Sequence, residues 1–158
     1  MKLTWPPVRL LQVALLIATS AVGAYLKIPS PTGTVALDSL PGYFAAAALG
    51  IPEGMTVGAA GHLFSAWSVG FPLGGLHLGI ALEMAAYVAV FGFLFRSSRP
   101  LAVLAAILLN GVAGPLSVAP FLGWAAVPGL VLALLPGSAI NVGMAAVIAL
   151  RWRGRRKP

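Results

Sequence analysis

The stretch KIPSPTGTVALDSLPGYF, Lys27 to Phe44, lies between two strongly apolar segments, and its reading decides how the rest of the chain is understood. Three prolines and two glycines fall within it, together with Asp38, one of only three acids in the chain. Pro29 and Pro31 fix φ and push Ile28 and Ser30 towards extended backbone, so an ordered irregular strap is expected. Helix connections are usually shorter than this, and ordered irregular backbone beside a bilayer usually lines a cavity. The stretch is therefore a candidate binding loop. Its last part also fits an ordinary helix start, with Asp38 or Ser39 as cap and Pro41 in the first turn. The two readings are compatible, because a cap leaves Thr32-Gly33-Thr34 unexplained.

Working outward, hydrophobic residues make up 59% of the 158, charged residues 8%, and the mean hydropathy is +0.97. Soluble domains carry about a quarter charged residues. The chain reads as an all-α, polytopic membrane protein, one integral-membrane substrate-binding domain over residues 1–158, because the apolar fraction is spread along its length. No block is left for a nucleotide-hydrolysing domain, so an ATPase is expected to be another chain. Of the ten basic residues behind the net charge of +7, five (Arg151, Arg153, Arg155, Arg156, Lys157) follow the last apolar segment. The positive-inside rule accounts for them without a nucleic-acid partner. Cysteine is absent, which excludes disulfides, thiolate metal sites and cysteine nucleophiles.

Hydropathy divides the chain into about six transmembrane helices with the long ordered loop after the first. Val8 to Leu26 matches a hydrocarbon core of roughly 30 Å and suits a retained span better than a signal peptide. Ala14 and Ala18 on it have the small-xxx-small spacing that permits close helix approach, either within this protein or against a partner. Ser39 to Leu49 would be only about 16 Å long as a helix, too short to cross alone, and short helices commonly mark transporter binding sites. The next helix is expected from Glu53, a capping acid, to Val69. Leu76 to Phe95 and Pro100 to Gly114 follow, then an outer turn over residues 115–123. Trp124 to Trp152 is interrupted at Pro128 and Pro136-Gly137. With both termini cytoplasmic, the inner side receives nine basic residues and the outer side only Lys27, as expected for a bacterial plasma-membrane protein with an even number of crossings.

An ionisable group at membrane depth costs at least a few kcal/mol unless paired or hydrated, so each such residue needs a reason. Glu83 reads either as a pocket residue accepting a hydrogen bond from substrate or from His62, or as a structurally bonded, protonated carboxyl. Tyr87 shares its helix face. His62 and Ser65, three apart, can face one cavity. Trp67 lies beyond them and serves equally as an interfacial anchor. His77 reads first as a water-facing residue near a helix end. Asn110 and Asn141, inside apolar helices, suit interhelical hydrogen bonds first and ligand contact second. No metal-ligand spacing, nucleophile elbow or phosphate loop is present, so neither a metal, a cofactor nor a catalytic residue is expected.

The loop residues 28–44, with Gly61-His-Leu-Phe-Ser65 and Gly70-Phe-Pro-Leu-Gly74, resemble the substrate-binding S-components of energy-coupling factor vitamin transporters. The likeness extends over nearly the whole chain and is greatest to the branch assigned to α-ribazole, a cobalamin precursor. It implies a receptor without its own energy source, docked on a transmembrane coupling subunit with two ATPase subunits. The family's Ala-xxx-Ala docking motif falls on Ala14 and Ala18. The family's outward-facing pocket implies a site including Thr32, Thr34, Asp38, Glu83, Asn110 and Asn141, to which the residue reading adds His62 and Trp67. A benzimidazole ligand would need an aromatic slot, which Tyr43, Trp67 and Phe71 are expected to supply, and a small, partly aromatic neutral solute suits so uncharged a site. A secondary transporter or channel acting alone, or a structural membrane subunit, is the alternative from another class.

Overall fold

The computed structural model describes residues 5–30 and 33–154, with strand residues 27–30 and 33–35 described by backbone only. Helix α1 spans Pro7–Gly23 and leads into a two-stranded antiparallel ribbon, β1 Lys27–Ser30 and β2 Gly33–Ala36. Then come α2 Leu40–Ala48, α3 Ile51–Ser68 and α4 Leu76–Leu94. Helix α5 Arg99–Leu108 continues through a π-helical turn, Leu109–Ala113, into α6 Gly114–Leu122, and a short 3-10 turn at Trp124–Ala126 leads into α7 Val127–Gly154.

Three helical runs are long and apolar enough to cross a membrane: Leu76–Leu94, Arg99–Leu122 and Trp124–Gly154. Pro7–Gly23 is a shorter apolar helix. The protein is thus a helical membrane protein in which α1, α2, α3, α4, the α5–α6 run and α7 are the helical members of the bundle.

Three expectations change, one of them in the last helix: α7 runs unbroken from Val127 to Gly154 with Pro136 inside it, where an interruption is expected. Residues 27–30 and 33–36 form an antiparallel ribbon with Ile28 opposite Val35 and Pro29 opposite Thr34, not an irregular strap. In a two-stranded ribbon each strand has a free edge, so the missing N–H of Pro29 need not break pairing. Residues 115–122 are helical, not a turn. Pro115 sits in the first turn of α6, where its N–H is not required, and α6 stops at Gly123, whose φ of 87° suits glycine.

The nine-residue α2 occupies the middle of the bundle, packing on α1, α3, α4 and α7. Small residues allow this: a Cβ on Gly54 of α3 would meet Ala46 of α2 at 2.5 Å. Tyr43 of α2 forms a solid core with Phe91, Phe95, Val142, Ala145 and Ala149, the Tyr43 and Phe91 rings edge to face at 5.2 Å. A helix that stops inside the bundle leaves terminal carbonyls to satisfy. Arg9 Nη1 donates to Leu49 O at 2.7 Å and Arg153 Nη2 donates to Ala47 O, so guanidiniums from α1 and α7 meet the negative end of α2. Glu53 lies in the first turn of α3, where an acid is favourable, and its carboxylate is also 3.5 Å from Arg9.

Candidate functional site

The ribbon is tied to the bundle at its base. Asn141 of α7 donates from Nδ2 to Ala36 O at 2.8 Å and accepts from the Leu40 N–H at 2.9 Å. Leu37 N–H donates to Gly23 O, and Ser20 Oγ donates to Asp38 O. These bonds hold Asp38 and Ser39 over a cavity of about 290 Å³. Small-molecule sites run from roughly 300 to 1,000 Å³, so it suits a small ligand.

Its walls are drawn from the loop, four helices and the π-helical turn. Asp38 and Ser39 come from the loop; Gly58, His62, Ser65 and Ala66 from α3; His77, Ile80, Glu83, Met84 and Tyr87 from α4. Asn110 of the π-helical turn, Pro115 and Val118 of α6, and Leu130 and Leu134 of α7 complete it. The π turn rotates Asn110 and its neighbours relative to a plain helix, a device often found at binding sites.

Two polar groupings lie in this apolar enclosure. In the first, the Leu73 N–H donates to His77 Nε2 at 3.3 Å, and His77 Nδ1 faces His62 Nε2 at 3.1 Å. Since Nε2 of His77 accepts, its Nδ1 carries the proton and donates to His62 Nε2. Each ring in this chain is a neutral imidazole protonated on Nδ1. In the second, Tyr87 Oη and Ser117 Oγ both approach Glu83 Oε2, at 3.1 and 2.9 Å. Ser117 Oγ also lies 2.8 Å from Gly114 O. Having one hydroxyl proton, Ser117 bonds Glu83 as donor only by giving up Gly114.

The residues singled out in the sequence separate into groups. Asp38, His62, Glu83 and Asn110 line the cavity together. Tyr43, Trp67 and Phe71 form no common slot. Tyr43 is fully buried against Phe91, its hydroxyl unpartnered but within electrostatic reach of Asp38 and Tyr87. Trp67 is 66% exposed and meets the edge of Phe64, while Phe71 lies edge-on to His77 behind the wall. Asn141 clamps the loop and does not line the cavity. Thr32 lies outside the described residues, as does the side chain of Thr34. Ala14 and Ala18 are exposed on α1, away from the buried Val13 and Ser20.

Sequence reasoning missed Ser117, which it placed in a turn, and gave His77 to water. Tyr87 had a legible signal, lying one helical turn from Glu83. Comparison with known proteins finds no family model that matches the chain and no curated protein that matches its sequence.

Proposed function

We propose that the protein is the substrate-binding component of an energy-coupling factor importer, capturing a vitamin or vitamin precursor, with α-ribazole the best candidate, on the outer face of a bacterial plasma membrane. On this reading six helical members cross or enter the bilayer and both termini are cytoplasmic. A transmembrane coupling subunit and two ATPase subunits supply the energy, and the protein is not an enzyme.

The observation that carries the reading is the form of the cavity. Its walls come from the halves of α3, α4 and α7 nearest the ribbon. Towards the other end the bundle is filled by Tyr43, Phe91, Phe95, Val142, Ala145 and Ala149. A blind cavity beside a clamped loop suits a receptor, whereas a channel needs a route through that core. The exposed Ala14 and Ala18 leave a face on α1 for the coupling subunit. The flat ring of the ligand would pack between the His62 and His77 imidazoles and the Met84 side chain, since the three expected aromatics lie elsewhere.

The test is native mass spectrometry of the detergent-purified chain mixed with vitamins and precursors, α-ribazole among them, followed by mixing with an energising module. One retained ligand per chain and a complex with the module are expected. Ligand flux into liposomes containing this chain alone would instead establish the autonomous transporter.

A further inference from the structure

The cavity has an unbalanced charge inventory. Asp38 from the loop and Glu83 from α4 both line it, and among the described residues no lysine or arginine does. The ion pair formed among the described residues joins Arg9 to Glu53 at the other end of α2. The remaining titratable groups facing the cavity are His62 of α3 and His77 and Tyr87 of α4. The imidazoles are committed to one another and to the Leu73 N–H, in a chain that requires both to be neutral. From α6 and α7 the wall receives only uncharged side chains.

Glu83 takes both of its bonds on Oε2, leaving Oε1 to the cavity. Asp38 is held through its main-chain oxygen by Ser20, and no described residue donates to its carboxyl group. A carboxylate in a low-dielectric enclosure is costly until a positive charge or hydrogen-bond donors reach it.

We infer that the ligand of this cavity is a small cation, or a nitrogen heterocycle bound in its protonated form, whose charge is met by Asp38 and Glu83. The inference rests on the cavity being the ligand site proposed above. It adds a charge requirement to that reading, and a benzimidazole fulfils it through its basic ring nitrogen. The His62 Nδ1–H is a donor for a neutral acceptor, such as a hydroxyl, on the same molecule. Carboxylate and phosphate compounds are excluded by the same inventory, because like charge at short range in such a site is strongly unfavourable.

The experiment compares three probes of one shape, benzamidine, benzyl alcohol and benzoate, by their stabilisation of the purified full-length chain against heat in detergent. Benzamidine is expected to bind at least about tenfold more tightly than benzoate, a difference of about 1.4 kcal/mol. Asp38→Asn and Glu83→Gln are each expected to shrink that preference. Both variants keep the side-chain shape, and the unliganded melting temperature reports whether each has folded. Equal binding of benzamidine and benzoate, a preference for benzoate, or no response to benzamidine overturns the inference. The importer reading is scored separately, by assembly with the energising module. A benzamidine preference without assembly leaves the charge requirement standing and removes the importer, and assembly without the preference does the reverse.

Discussion

Asn141 commits both of its amide protons and one carbonyl lone pair, to Ala36 O, Gly137 O and the Leu40 N–H. It therefore joins α7 to both ends of the segment that carries Asp38. Asn141→Ala leaves these groups short of partners and is expected to destabilise the protein by about 1–3 kcal/mol. Asn141→Asp is expected to be worse, since it keeps the acceptor for Leu40 but turns a carboxylate oxygen towards two carbonyls. Equilibrium unfolding in mixed micelles gives the order, and wild-type stability of Asn141→Asp would show that the amide does not hold the loop. The imidazole chain gives a second prediction at this scale. Nitrogen-15 chemical shifts should report both His62 and His77 protonated on Nδ1, and His77→Ala should release His62 to a mixture of tautomers. A polar residue in an apolar helix is legible as needing a partner, which marks His62, Glu83 and Asn110, whereas Asp38 stands out as an acid in the loop. Who the partner is was not legible for Asn141 or His77. Helical spacing gives the face on which a side chain lies but not what stands opposite, and Ala36 is 105 residues from Asn141.

At the scale of elements, α2 shows how a helix too short to cross is kept inside a membrane bundle. Its last carbonyls face low-dielectric surroundings, and two arginines from different helices supply charged donors to separate oxygens. Arg153→Ala removes one cap and the packing of its guanidinium over Phe95, 5.7 Å from the ring centroid. A loss of about 1.5–3 kcal/mol is expected, the range for bonds to charged groups. Arg9→Ala should cost more, since it also leaves the buried Glu53 without its 3.5 Å partner. Adding Glu53→Gln should then recover part of the loss, and no recovery would mean that the pair contributes nothing beyond the Leu49 bond. Element boundaries were largely legible: α4 begins at the expected Leu76 and ends at Leu94, within a residue of expectation. The failures cluster at prolines. Pro29 suggests irregular backbone where β1 forms, and Pro115 suggests a turn where α6 begins. Proline excludes a donor and fixes one angle, which a strand edge and a helix first turn both tolerate.

For the whole molecule, the decisive quantity is orientation, because the receptor reading puts the cavity outside and the partner's docking face on α1. Ala14 is exposed and borders no part of the cavity, so Ala14→Leu should leave ligand retention unchanged and abolish assembly with the energising module. Normal assembly would remove the docking role. The even parity of crossings is open to a direct test, since the chain contains no cysteine and any single introduced thiol reports its own site. Leu26 follows α1, Trp124 follows α6 and Ser97 lies between α4 and α5, and all three are exposed. If α2 enters from the ribbon side and α3 returns to it, and α4 and the α5–α6 run each cross once, Leu26 and Trp124 share one face and Ser97 lies on the other. The basic residues then orient the molecule: Arg96, Arg99, Arg151 and Arg153 belong with Ser97 on the cytoplasmic side. Leu26→Cys and Trp124→Cys should label with an impermeant maleimide in intact cells, and Ser97→Cys only after permeabilisation. Labelling of Leu26→Cys and Trp124→Cys from opposite sides would break the parity on which the six-member arrangement rests. Labelling of Ser97→Cys alone in intact cells would invert the molecule and place the blind cavity on the wrong side of the membrane for capture.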